Sequence, residues 1–238
     1  SPEQLSLPLI TISLFYLFAY NKRVYPKPFP KHWAFLNGLI AGCILWIKFS
    51  FLGFWFGWLI AILVSMLKNK QIREATITSL LFISGMIVVT LPWVIYFGLN
   101  QSLGEWIKSY FIINIFKYSE TRSLLDQIKF MFLNLLMPLM MNPVIVGHLY
   151  LGLLVFFIRK KSFLHSSDNL GLMSCLIFLI FSIYGGGRAH VYYFLIFSPF
   201  LIFSFIVLLK MVNEKFGLIR SSNSLHLVLT ITTLIMFI

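Results

Sequence analysis

The chain reads as an all-α, polytopic transmembrane helical bundle of about eight spans, with one interfacial helix in an outer loop. Three observations carry that expectation. Of 238 residues, 59% are hydrophobic and only 11% are charged, against about 25% charged in a soluble domain. Eight apolar stretches alternate with short polar connections. Most of the 19 Lys and Arg residues fall in just four of those connections. These are 21–32 (Lys22, Arg23, Lys27, Lys31), 68–74 (Lys68, Lys70, Arg73), 159–169 (Arg159, Lys160, Lys161) and 210–224 (Lys210, Lys215, Arg220). Short loops rich in Lys and Arg stay on the cytoplasmic side. The net charge of +12 is therefore a membrane bias, and no nucleic-acid partner is expected.

A spanning helix needs about 20 mainly apolar residues. The expected spans are 5–20, 33–48, 51–67, 75–98, 130–158, 170–184, 191–209 and 225–238. With residues 1–4 outside, alternate crossing brings every basic connection to the cytoplasmic face. The outer features are then the tip with Glu3, the turn at Lys48, Phe49 and Ser50, the segment 99–129, and the connection 185–190. Within 99–129, Trp106, Tyr110, Phe111, Ile112, Ile115 and Phe116 mix with charges, which suggests a helix lying in the interface. Residues 1–238 form a single transmembrane region. It begins Ser1-Pro2-Glu3 and ends within an apolar run, so it reads as truncated at both ends.

Gly38-Leu-Ile-Ala-Gly42 and Gly53-Phe-Trp-Phe-Gly57 place small residues one turn apart, which lets helix backbones approach closely. Cys43 and Cys175 lie inside apolar segments and read as small buried residues. Lys48 ends an apolar run. It either snorkels to the surface or meets an anion such as a lipid phosphate. Arg188 sits in the turn Gly185-Gly186-Gly187-Arg188-Ala189-His190, where glycines allow close backbone approach and the guanidinium offers a fork for phosphate. Glu3 precedes a helix, where a carboxylate also serves as a partner of the helix dipole. His148 shares its stretch with Asn134, Pro138, Asn142 and Pro143, and packing explains it. No His/Cys/Asp/Glu cluster has metal-ligand spacing, and no nucleotide-binding glycine loop occurs.

With those residues in view, the chain resembles bacterial polytopic glycosyltransferases of the GT-C fold, in the protein-mannosyltransferase-like branch (glycosyltransferase family 39 and relatives). The resemblance runs through "SPEQLSLPLITISLFYLF", "FLNGLIAGCILWIKFSFLGFWFGWLIAIL" and "GGGRAHVYYFLIFSPFLIF". Glu3, Lys48, Arg188, Tyr193 and Pro199 match family positions. Tyr192 stands where the family has a His, and His190 lies two residues earlier. The family's principal catalytic carboxylate lies in a large first outer loop that has no counterpart here.

The resemblance implies sugar transfer from a polyprenyl-phosphate-linked donor to a glycan, lipid or protein acceptor, at the extracytoplasmic face of a multi-pass cell-membrane protein. Glu3 would be the catalytic carboxylate. Lys48, Arg188, His190 and Tyr193 would bind the lipid phosphate. A divalent metal is possible as cofactor, with no ligand set of its own in this stretch. Two alternatives stay open: a polysaccharide polymerase, and a transporter or flippase of lipid-linked glycans. Transporters favour broken helices and ionisable groups near mid-membrane, whereas the charges here sit at helix ends.

Overall fold

A computed structural model describes residues 1–117, 123–158, 166–186 and 190–201, together with positions 204, 207, 208 and 213. Every regular element among them is helical. Helix α1 spans Pro2–Ala19 and widens into a π-turn over Tyr20–Val24. Helices α2 (Lys31–Lys48) and α3 (Leu52–Lys68) flank a 3-10 turn at Phe49–Phe51. Then follow α4 (Ile72–Leu99) and α5 (Leu103–Ile107), which runs on as a π-helix over Lys108–Lys117. Helices α6 (Leu124–Met141), α7 (Pro143–Ile158) and α8 (Ser166–Tyr184) come next, and a 3-10 turn at Val191–Phe197 closes the series.

Four helical runs are long and apolar enough to cross a membrane: Pro2–Val24, Lys31–Lys68, Ile72–Leu99 and Leu124–Met141. The all-helical, membrane-type class therefore stands, and four runs among the described residues meet the criteria where eight were expected. The 38-residue run is not one rod. Its backbone is extended at Lys48, with φ −164° and ψ 100°, and turns back there. Helix α1 shows the reversal. It meets α2 head to tail, with Glu3 at Lys48 and Tyr16 at Trp33. It runs alongside α3 in the same sense: Ser13 accepts from Trp55 and Trp58, and Tyr20 lies with Phe29, which packs on Trp58.

The small-residue patterns pack as expected, and each selects a partner that sequence reading did not name. Gly38, Gly42 and Trp46 of α2 meet Phe82, Met86 and Thr90 of α4. Both series advance together, so these helices are parallel. A Cβ on Gly38 would sit 2.1 Å from the Phe82 carbonyl oxygen, so only glycine permits this approach. Gly53 and Gly57 of α3 meet Ser182 and Ser174 of α8, an antiparallel pair. Ser174 Oγ donates to the Gly57 carbonyl at 2.9 Å and Ser182 Oγ to the Ser50 carbonyl at 2.5 Å.

The expected span 130–158 is corrected to two helices. Helix α6 starts earlier, at Leu124, where Ser123 accepts from the Asp126 N–H. It ends at Met141. Pro143 lacks the N–H that would continue it and instead opens α7, a position suited to proline. Asn142 Oδ1 accepts from the Ile145 N–H and caps the new helix. The arms fold against each other, because Tyr150 donates its hydroxyl to the Leu135 carbonyl. A continuous α-helix would hold residues that far apart in sequence about 22 Å apart in space. The expected span 170–184 falls within α8, 191–209 is described over 191–201 and at 204, 207 and 208, and 225–238 lies outside the described residues.

These pairings give the bundle two distinct ends. The connections 21–30 and 69–71 share one end, where Gln71 Nε2 donates to the Pro26 carbonyl and Lys31 faces Glu74. Residues 159–165 lie outside the described residues, but Gly171, early in α8, packs on Leu17 toward this same basic end. Glu3, Lys48, Ser50, Tyr184 and His190 gather at the opposite end.

Candidate functional site

At that opposite end lies a cavity of about 740 Å³. Its wall is assembled from four parts of the chain. The end of α2 and the following turn supply Ile47, Lys48, Phe49 and Ser50. The end of α8 supplies Ser182, Ile183, Gly185 and Gly186. His190 and Tyr193 enter from the last turn, and Tyr110, Asn114 and Ile115 from the π-helical segment.

Lys48 is the centre of the charge arrangement. Its Nζ donates to Glu3 Oε1 at 2.7 Å and lies 3.8 Å from the centre of the Tyr193 ring. Phe51 presents a second ring at 4.9 Å. Aromatic faces carry negative charge density that attracts an ammonium. The cation is thus held by a carboxylate and two rings. The Glu3 side chain is 2% exposed and that of Lys48 22%. Glu3 does not line the cavity, whereas Lys48 does. His190 stands edge-on to Tyr193, with ring centres 5.1 Å apart.

The sequence-predicted residues Lys48, His190 and Tyr193 therefore converge on one wall, and Glu3 joins them through Lys48. Arg188 lies outside the described residues. The side chain of Tyr192, the departure from the family pattern, does so as well.

Sequence reading missed the segment 103–117 as part of the site. Trp106 is stacked between Trp46 and Phe97, at 4.6 and 4.7 Å. Tyr110 donates to the Leu45 carbonyl at 2.6 Å. Burial raises its phenol pKa above the usual value, so the hydroxyl stays protonated and remains a donor. Asn114 Nδ2 returns to the Tyr110 carbonyl at 2.8 Å. These contacts strap the segment across the ends of α2 and α4. A partial signal was present: Tyr110 and Asn114 stand four residues apart, on one face of a helix, whereas Ile115 joins them only through the wider π-helical turn. Ser182 carried no such signal, because its role depends on the approach of Gly53.

The wall combines one ammonium, two tyrosines, an imidazole, two serines, an amide and three isoleucines. That mixture suits a ligand with an anionic or hydroxyl-rich head and an apolar portion. No group of three His, Cys, Asp or Glu that could hold a metal ion occurs among the described residues. Comparisons with protein-family models, with curated proteins and with solved structures gave no match.

Proposed function

We propose that the chain is a membrane glycosyltransferase of the GT-C type, with about eight spans. It moves a sugar from a polyprenyl-phosphate carrier to an acceptor at the extracytoplasmic face. The observation that carries this reading is Lys48: one cation, braced by a buried carboxylate and a tyrosine ring, in the wall of a 740 Å³ cavity. The cavity lies at the end of the bundle away from the described basic connections 21–30 and 69–71. The charge bias of those connections assigns them to the cytoplasm, which gives the cavity an extracytoplasmic opening. The strap 103–117 then lies at the headgroup level.

In such a reaction the bond between the anomeric carbon and the phosphate oxygen breaks, and its electron pair remains on that oxygen. The acceptor oxygen bonds to the anomeric carbon and loses its proton. Lys48, with Arg188, stabilises the charge gathering on the phosphate. His190 offers an imidazole for the acceptor proton. Glu3 was expected as the catalytic carboxylate, and its pairing with Lys48 favours an indirect role.

The test is transfer of labelled sugar from a polyprenyl-phospho-sugar in membrane vesicles carrying the protein. Lys48→Gln and Arg188→Ala each remove one charge-assisted contact, of about 1.5–3 kcal/mol, and lower transfer roughly ten- to hundredfold. Arg188→Lys restores part, since lysine keeps the charge and loses the fork. Unaltered transfer in well-inserted variants overturns the reading. A second reading, flipping of a lipid-linked glycan, draws on the break between α6 and α7 at Asn142 and Pro143. Discontinuous helices are common in transporters. Movement of a fluorescent lipid-linked glycan across proteoliposomes, with no sugar transferred, would favour it.

A further inference from the structure

Three features bear on what the cavity accepts. Among the described residues, Lys48 is the one Lys, Arg, Asp or Glu of the wall. Glu3 holds that ammonium at 2.7 Å, is 1% exposed and stands outside the wall. Tyr193 covers another side of the ammonium at 3.8 Å. The cation a ligand meets is thus already balanced by a carboxylate that the ligand does not touch.

Resting on the reading of the cavity as a lipid-phosphate site, we infer that Glu3 is a positioning residue that shifts the preference of the cavity away from a phosphomonoester and toward a phosphodiester. The chemistry is direct. A phosphodiester, such as a polyprenyl-phospho-sugar, carries one negative charge. The monoester left after the sugar departs carries about −1.5 to −2 at neutral pH, because its second pKa is near 6. Repulsion from the Glu3 carboxylate, carried through the low-dielectric interior, grows with the charge of the ligand, so the monoester feels it more than the diester does. Glu3 thereby weakens the hold on the product more than on the donor. It also fixes where Lys48 Nζ sits, since Tyr193 and Glu3 together leave the ammonium little freedom.

Ligand binding tests this without any sugar transfer, so its outcome is independent of whether the chain is a transferase. The full chain in detergent micelles is titrated with farnesyl phosphate, with farnesyl methyl phosphate and with farnesol, following tryptophan fluorescence. The wild type binds both phosphates more strongly than farnesol. Glu3→Gln removes the balancing charge and tightens the monoester by roughly tenfold or more, the scale of one charge-assisted contact, while the diester gains less. An unchanged monoester-to-diester ratio overturns the inference, as does equal binding of farnesol. The paired swap Glu3→Lys with Lys48→Glu covers the case in which Glu3→Gln fails to fold. It keeps an ion pair at the same place and puts the anion in the wall. It should lose both phosphates and keep farnesol. Phosphate binding at wild-type strength by the folded swap shows that the pair is structural only and sinks the proposal.

Discussion

The two ends of the bundle each hold a Lys–Glu pair, and the pairs differ in almost everything but their chemistry. At the basic end, Lys31 and Glu74 are 3.8 Å apart with side chains 62% and 32% exposed. At the cavity end, Lys48 and Glu3 are 2.7 Å apart with side chains 22% and 2% exposed. An exposed pair contributes about 0–1 kcal/mol, because water already solvates both charges. A buried pair has lost that solvation, and its members depend on each other. Surroundings, and not the identity of the charges, make one pair a surface detail and the other the charged centre of a cavity wall.

The largest expected effect comes from separating the buried pair. Lys48→Ala leaves the Glu3 carboxylate buried with its cation gone, and should destabilise the protein by about 3–5 kcal/mol. Unfolding in mixed micelles titrated with sodium dodecyl sulfate measures it. A loss below about 1 kcal/mol would place this pair with the exposed one and dissolve the contrast.

Between the ends, the helices are held by close approach. Gly57→Ala puts a Cβ 2.4 Å from the Ser174 carbonyl oxygen and should cost about 1–3 kcal/mol by overpacking. The same unfolding measurement checks it, and unaltered stability would mean that α3 and α8 are less tightly joined than their contacts imply. Tyr193→Leu removes the ring over Lys48 and should cost about 0.5–2 kcal/mol. If the Tyr193 face braces the cation, Lys48→Ala and Tyr193→Leu combine to less than the sum of their separate losses in a double-mutant cycle. Simple additivity would show that the ring merely fills space. The smallest effect belongs to the basic end: Glu74→Ala should change stability by less than about 1 kcal/mol, and raising the salt concentration should shrink even that. A larger, salt-insensitive loss would mean that the exposed pair is more than a surface contact.

Much of the fold was legible because hydrocarbon demands long apolar helices. Helices α2, α3 and α4 fall within a few residues of the expected 33–48, 51–67 and 75–98. The single span expected at 130–158 was not legible as two, although Pro143 marked the place. No Asp, Glu, Lys or Arg interrupts it, and hydropathy does not register a reversal of direction. The site was legible in pieces. Lys48 and His190 stood out as polar groups at the ends of apolar runs, and Glu3 as an acid at a helix start. Tyr110 read as one interfacial aromatic among several, because its place in the wall depends on the anchoring of the strap through Trp106.

By itself, the sequence determined that the chain is helical, that the basic connections 21–32 and 68–74 share one end, and that Gly38, Gly42, Gly53 and Gly57 mark close contacts. Those are local properties, set by burial of apolar length, by charge bias and by side-chain size. Tertiary structure alone decided that Gly38 faces α4 while Gly53 faces α8, that α7 turns back on α6, and that Glu3 meets Lys48 across 45 positions of chain. A pairing at that separation depends on how α1 lies against α2. The packing of three helices sets that, and no local pattern encodes it.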